Sequence, residues 1–270
     1  MKFQIIGNVR RLMKTILLFA IFYAVIGLFL SYKQESLVYQ PGVQDFESCP
    51  DLKEAERLTY EGTRMYFKKN GPRVAVIYHG NAGSACDRAF IASIFGNIGY
   101  SYLLPEYAGY SNDSAKPSHA GIKKDVEHVI DFLDSRDFKN IVVLGESVGT
   151  GVASYHASLK PVSQLILISP FTDLVDVAQE AFWFYPASLL VENAFDNEQL
   201  LAAYRGKVLV LHGDADTVIP SKLGEELFES LRSPDKQLAI IRGAGHNTMF
   251  WYPETYESIT SFVGDAGGAK

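Results

Sequence analysis

Hydrophobic and polar positions divide this chain into three regimes. Residues 16–30 form an unbroken apolar run inside an uncharged stretch of 18 residues between Lys14 and Lys33. A soluble helix of that length keeps a polar face and this one has none, so the run predicts a membrane-spanning helix. Residues 33–55 carry no clear period and contain Pro41, Gly42 and Pro50, the pattern of a tether. Beyond them, short apolar runs alternate with segments of helical spacing.

Residues 57–60 and 65–68, parted by Gly62, predict an antiparallel hairpin. Residues 74–78 are continuously apolar, as expected of a strand covered on both faces, and end in His79-Gly80-Asn81-Ala82-Gly83 before a helical stretch at 85–95. A strand at 102–104 leads into a loop, 105–117, rich in Tyr, Gly, Ser and Asn. Ile122, Val126, Val129, Ile130 and Leu133 then recur at helical spacing and leave His128 on the solvated side. Residues 141–144 read as a strand that turns sharply through Gly145-Glu146-Ser147-Val148-Gly149 into a helix. Further strands fall at 165–168, 208–211 and 238–241, with helices carrying Leu223, Leu227, Phe228 and Leu231, and Tyr256, Ile259 and Phe262.

Residues 171–205 break this alternation with an aromatic cluster, Phe182-Trp183-Phe184-Tyr185-Pro186, and read as an inserted cap. The alternation predicts an α/β fold: a mostly parallel sheet, helices on both faces, and reactive groups at the carboxyl ends of the strands. The expected organisation is an amino terminus at 1–14, a span at 15–32, a tether at 33–55, one domain at 56–264 with the cap inside it, and a tail at 265–270.

Charge sharpens this picture. The first 32 residues hold four basic side chains (Lys2, Arg10, Arg11, Lys14) and no acid, leaving 21 basic against 31 acidic residues in the rest. A domain that acidic excludes nucleic acid as a partner and does not cling electrostatically to anionic lipid. The basic cluster keeps the amino end cytoplasmic and sends the domain to the opposite, periplasmic, extracytoplasmic or lumenal, side. A cleaved signal peptide is the competing reading, but Leu30-Ser31-Tyr32-Lys33 offers no small-residue cleavage site, which favours an uncleaved signal anchor. Cys49 and Cys86 fit neither a zinc site nor a disulfide framework; whether they pair once is left open.

Candidate chemistry centres on Ser147. Flanking glycines remove the bulk that would bury a serine at a strand-to-helix turn, and the helix behind it offers the backbone N–H of Val148 to a developing oxyanion. The plainer reading is a glycine-rich turn with a solvated serine. A serine hydroxyl needs a base, and of six histidines His246, in Gly245-His246-Asn247 after the last strand, is the choice. His156 reads as a packing or surface residue, and His212 as a structural hydrogen-bonder. The imidazole in turn needs an acceptor. Asp216 in His212-Gly213-Asp214-Ala215-Asp216 fits the chain order of a nucleophile-elbow enzyme, with Asp214 a close second and Asp173 more simply a helix cap. A second oxyanion donor is expected from the backbone N–H of Asn81, with His79 supporting that loop.

Together these segments resemble the membrane-anchored Bem46-like, ABHD13-related α/β-hydrolases over roughly residues 36–264. The resemblance rests on Leu37-Val38-Tyr39-Gln40-Pro41, the 79–83 loop, the 145–149 elbow, Ser169-Pro170-Phe171-Thr172, the turn ending Val218-Ile219-Pro220, and Gly245-His246-Asn247. It implies an α/β-hydrolase fold with a short cap, and Asp216 rather than Asp214 as the acid of a Ser147–His246–Asp216 triad. Where relatives usually carry an arginine and often a glycine, this chain has Ala108 and Ser111, which puts an anionic contact or loop salt bridge in doubt. The implied activity is a serine hydrolase acting on an ester or thioester, in its narrower form a lipid-like acyl ester, without cofactor or metal. The alternatives are a membrane-tethered scaffold without catalysis and a serine peptidase.

Overall fold

A helix continues past its apolar part where the residues that follow contain no breaker. In the computed structural model, which describes residues 2–192 and 194–264, helix α1 covers Lys2–Val38. Its stretch Gln4–Val38 is long and apolar enough to cross a membrane. The helix outruns the expected span because Lys33-Gln34-Glu35-Ser36-Leu37-Val38 contains neither proline nor glycine. The expected tail, 265–270, lies outside the described residues.

After α1 come β1 (Gln40–Pro41), the hairpin β2 (Glu56–Tyr60) and β3 (Thr63–Lys68), β4 (Arg73–Tyr78), the two-residue β5 (Ala82–Gly83), α2 (Ala89–Asn97), β6 (Ser101–Glu106), α3 (His119–Asp134), β7 (Asn140–Glu146), α4 (Val148–Leu159) and β8 (Gln164–Ile168). Three short helices follow, α5 (Leu174–Ala181), α6 (Ala187–Leu190) and α7 (Asn197–Leu201). The chain then forms β9 (Lys207–Gly213), α8 (Ser221–Ser230), β10 (Lys236–Ile241) and α9 (Pro253–Gly264).

Eight strands make one sheet in the order β10-β9-β8-β7-β4-β6-β3-β2. All pairs from β10 to β6 are parallel, and β3 runs antiparallel to both of its neighbours. This is the mostly parallel sheet that the alternation predicts. Because successive strand residues face opposite ways, β4 feeds two cores: Val74, Val76 and Tyr78 join the side that α3 and α4 complete, Ala75 and Ile77 the side of α2 and α9. His128 is not free in solvent as the spacing suggests; it is half-buried and shares a 2.9 Å hydrogen bond with Thr63 Oγ1, because the hairpin packs over that edge of α3.

Topology decides where the site lies. From β4 the chain crosses by α2 to β6, whereas from β7 it crosses by α4 to β8 on the other side. β4 and β7 are neighbours, with Tyr78 opposite Gly145, so their carboxyl ends border the topological switch point where a crevice opens. The loops at 79–83 and 145–149 start there. Between β8 and β9 the chain folds back on itself, closing with a bridge between Asp173 and Asp196 and a 3.1 Å hydrogen bond from Leu174 N–H to Phe195 O.

The tether is pinned at two points. β1 pairs in parallel with β5, and Cys49 is disulfide-bonded to Cys86 in the turn before α2, with Cα atoms 5.7 Å apart. The sequence left this bond open; folding brings the two cysteines beside each other against the α2 face. The bond closes a separation of 37 residues. Chain-entropy reasoning assigns such a loop about 4 kcal/mol. Replacing both cysteines by alanine is expected to lower the unfolding free energy by up to about that amount, read by chemical denaturation against the oxidised wild type.

Candidate active site

The turn at Ser147 needs a conformation that side chains resist. Ser147 has φ +55° and ψ −126°. For a non-glycine residue that costs about 1–3 kcal/mol and persists only where the surroundings enforce it. The enforcement is backbone packing. A Cβ on Gly145 would lie 2.1 Å from Gly149 O, and one on Gly149 2.4 Å from Tyr78 O. Only glycine therefore lets the first turn of α4 press against the ends of β4 and β7. Ser147 N–H donates to Ile168 O at 2.9 Å, which fixes the other side of the turn to β8.

Three distant segments meet at this point. His246 Nε2 lies 2.9 Å from Ser147 Oγ, and His246 Nδ1 lies 2.7 Å from Asp216 Oδ2. Asp216 Oδ1 accepts 2.9 Å hydrogen bonds from the N–H groups of both Val218 and Ile219. Burial raises the Asp216 pKa, but hydrogen bonds from His212, His246 and Ile219 N–H outweigh it and hold the carboxyl well below its usual range. Asp216 is thus a carboxylate at neutral pH. Of the other acids weighed, exposed Asp214 accepts from Gly243 N–H, and Asp173 caps α5 by accepting from Val175 N–H at 2.9 Å. His212 Nε2–H donates to Ile219 O at 2.9 Å and reaches 3.4 Å from Asp216 Oδ2, bracing the turn that presents the carboxylate.

The loop after β4 approaches the serine from the other strand. A Cβ at Gly80 would sit 3.3 Å from Ser147 Cβ. The next residue, Asn81, is held by its carbonyl, which accepts from Tyr110 Oη at 2.7 Å and from Gln40 N–H at 3.0 Å. Tyr107 Oη donates to His79 O at 2.8 Å, and His79 Nδ1–H donates to Gly80 O at 2.8 Å. Among the described residues, neither the Asn81 nor the Val148 N–H donates to another protein group. Both are free to serve an added acceptor.

Several neighbours of this site carry no signal in the sequence. Arg88 forms an ion pair with Glu146 beside the elbow, joining residues 58 positions apart. A cavity of about 370 Å³ lies there, lined by Arg88, Glu146, His246, Asn247, Phe250 and Trp251 among others. Buried Asp125 accepts from Ala108 N–H at 2.8 Å and from Thr63 Oγ1 at 2.6 Å, holding the tyrosine loop. Arg64 of β3 donates to the carbonyls of Tyr110 and Ser111 in the same loop. Ser111 has φ +47°, a backbone conformation that glycine adopts at lower cost. Among the described residues, no group of three or more His, Cys, Asp or Glu side chains is arranged to hold a metal ion.

Residues 183–250 match the profile of the Hydrolase_4 family, described as serine aminopeptidase, S33. The chain is 31% identical to the uncharacterised protein Rv2307c of Mycobacterium tuberculosis over 234 residues, which cover 82% of this chain and 83% of that one. It is 28% identical to the lysophosphatidylserine lipase ABHD12 of Xenopus tropicalis over 222 residues, 71% of this chain but 58% of the lipase. Among solved structures, an esterase of Pyrococcus furiosus superposes with a TM-score of 0.67 at 18% identity, covering 84% of this chain and 98% of that one. That last likeness is one of fold.

Burial behind the elbow has a measurable consequence. His156, wholly buried on α4, shares a 2.8 Å hydrogen bond with Tyr78 Oη, and burial holds its pKa down to about 3. An unfolded histidine titrates near 6.5, so this contribution to stability is complete above that pH and is lost as pH falls toward 3. Between pH 7 and pH 5 it removes about 2 kcal/mol. His156→Gln is expected to flatten the wild-type loss by that amount, measured by urea denaturation at both values.

Proposed function

The chain belongs to the α/β-hydrolase superfamily, and we propose that it acts there as a serine hydrolase cleaving an ester or thioester through an acyl-enzyme intermediate. The observation that carries this is the placement of one imidazole between a hydroxyl, at 2.9 Å, and a buried carboxylate, at 2.7 Å. Ser147 Oγ attacks the substrate carbonyl while His246 Nε2 takes its proton. The tetrahedral oxyanion lies against the N–H groups of Asn81 and Val148, at the positive end of the α4 dipole. His246 then gives the proton to the departing alcohol or thiol, and the same steps with water release the acid. Asp216, ionised throughout, holds the productive tautomer and stabilises the imidazolium.

A lipid-like acyl ester is the narrower form of this reading. Its supports are the lysophosphatidylserine lipase relatives, the apolar helix α1 and the exposed aromatics of the α5–α6 segment. The narrower Bem46-like, ABHD13-related grouping is part of the same proposal. So is the orientation, with residues 1–14 cytoplasmic and residues 56–264 across the membrane. The Cys49–Cys86 bond supports that side, since disulfides persist in oxidising compartments. The Hydrolase_4 match favours a peptidase as the second reading. A carboxylate able to hold a substrate amine would be needed at the mouth, and Glu146 there is already paired with Arg88.

Ser147→Ala is expected to abolish labelling by a fluorophosphonate probe and to lower ester hydrolysis by roughly 10⁴- to 10⁶-fold. Full hydrolysis by that variant refutes the proposal, and folded wild type that resists the probe favours a scaffold. A panel of aminoacyl amides beside acyl esters separates the two enzyme readings: preference for the amides turns the assignment to a peptidase.

A further inference from the structure

Helix α1 does more than lead into the domain; it forms one wall of a cavity. Tyr23 stacks on Tyr185 of the α5–α6 segment with ring centroids 4.4 Å apart. Tyr23 Oη donates to Phe184 O at 2.6 Å, and Tyr185 Oη donates to Tyr23 O at 3.2 Å. Further along α1, Gln34 Oε1 accepts from Glu192 N–H at 2.8 Å. Gly27, the buried residue between these two clips, permits the approach: a Cβ there would lie 3.3 Å from the Tyr185 ring. The helix and segment still do not close fully. A cavity of about 200 Å³ remains between them, bordered by Leu30, Val38, Leu174, Val177, Ala178 and Leu190 among other, almost wholly apolar, residues.

The register of α1 sets the depth of the cap tip that rests on Tyr23. Tyr23 lies seven residues before Leu30, the end of the apolar run. That is about 10 Å along a helix axis, against roughly 15 Å for half of a bilayer's hydrocarbon core. The tip of the cap therefore reaches acyl-chain depth rather than stopping at the headgroups. Its composition agrees: residues 181–191 carry no charge, in a domain that is otherwise strongly acidic. Trp183 and Leu189 are each 79% exposed, and Phe184 51%. At the inner end, Leu174 and Val38 pack on the same core as Tyr39 and Val148, and Gln40 holds the carbonyl of Asn81. On α1 the lining begins at Leu30, the last residue of the apolar run, and ends at Val38, two residues before Gln40, whose N–H holds the carbonyl of Asn81 in the loop that faces Ser147.

We propose that the cap tip is immersed in one leaflet and that the cavity between it and α1 receives the acyl chain of a bilayer lipid sideways. This rests on the membrane-anchored ester-hydrolase reading above. The chain moves from one apolar surrounding to another and never crosses water, so its burial in the cavity holds the ester against the elbow. Anchor and cap form the site together: the helix is part of the substrate's path as well as a tether.

The test uses the full chain in phosphatidylcholine nanodiscs. Ala178→Phe fills the cavity and is expected to lower the hexadecanoyl-to-butanoyl ratio of kcat/KM for nitrophenyl esters about tenfold or more. An unchanged ratio, with hydrolysis retained, overturns the acyl site and leaves the serine-hydrolase reading standing. Absence of Ser147-dependent hydrolysis of either ester in the wild type refutes that reading and the acyl site with it. Cap depth is decided separately, because Trp251→Phe leaves Trp183 as the sole tryptophan. Lipids brominated along the acyl chain are expected to quench its fluorescence, and emission indifferent to them overturns immersion.

Discussion

The backbone contact between the first turn of α4 and the end of β4 is the constraint on which the site depends. Gly149 lies so near the carbonyls of Tyr78 and His79 that a single methyl group would separate them. That approach brings the loops after two parallel strands to one point and drives Ser147 into the left-handed region. It requires β4 and β7 to be neighbours whose connections leave in opposite directions, which is a property of the sheet order. The strained turn is stored locally and held by the whole sheet.

Electrostatics at the site follow from how few groups share the buried volume. Asp216 is taken out of water yet kept ionised by two backbone N–H groups, by His246 and by His212. His212 is itself buried and close-packed: a Cβ on Gly224 of α8 would meet its Nδ1 at 2.3 Å. The facing loop is governed differently, by neutral donors. Tyr107, Tyr110 and Gln40 N–H occupy the carbonyls of His79 and Asn81, so the loop's outward N–H groups are not drawn into its own hydrogen bonding. Tether, tyrosine loop and elbow are thereby one assembly, and Cys49–Cys86 ties its outer edge.

Much of this was legible because it is local. Strand and helix positions follow apolar spacing, and they recur in the structure with ends moved by a few residues. The 85–95 helix opens with a short 3-10 turn at the disulfide, and α1 runs on to Val38. Ser147, Asp216 and His246 could be nominated because each follows a strand, where parallel sheets gather their loops. The choice between Asp216 and Asp214 could not be made from spacing alone, since both occupy one turn and only the fold turns one toward His246 and the other toward Gly243. Arg88 beside Glu146, Asp125 under the tyrosine loop, and Arg64 on the carbonyls of that loop were invisible for the same reason. Their partners are brought near by sheet order and packing, to which no periodicity refers.

The sequence by itself determined the α/β class, the apolar helix, the serine between glycines and the aromatic insert, because each is written in residue type and spacing within one short segment. Tertiary structure turned Asp216, which spacing alone could not separate from Asp214, toward the imidazole, and it alone decided that the two cysteines join and that the insert leans on α1 at Tyr23 and Gln34. These are contacts across 30 to 161 residues, fixed by how the sheet is ordered and how its faces are covered; a one-dimensional pattern carries no record of either.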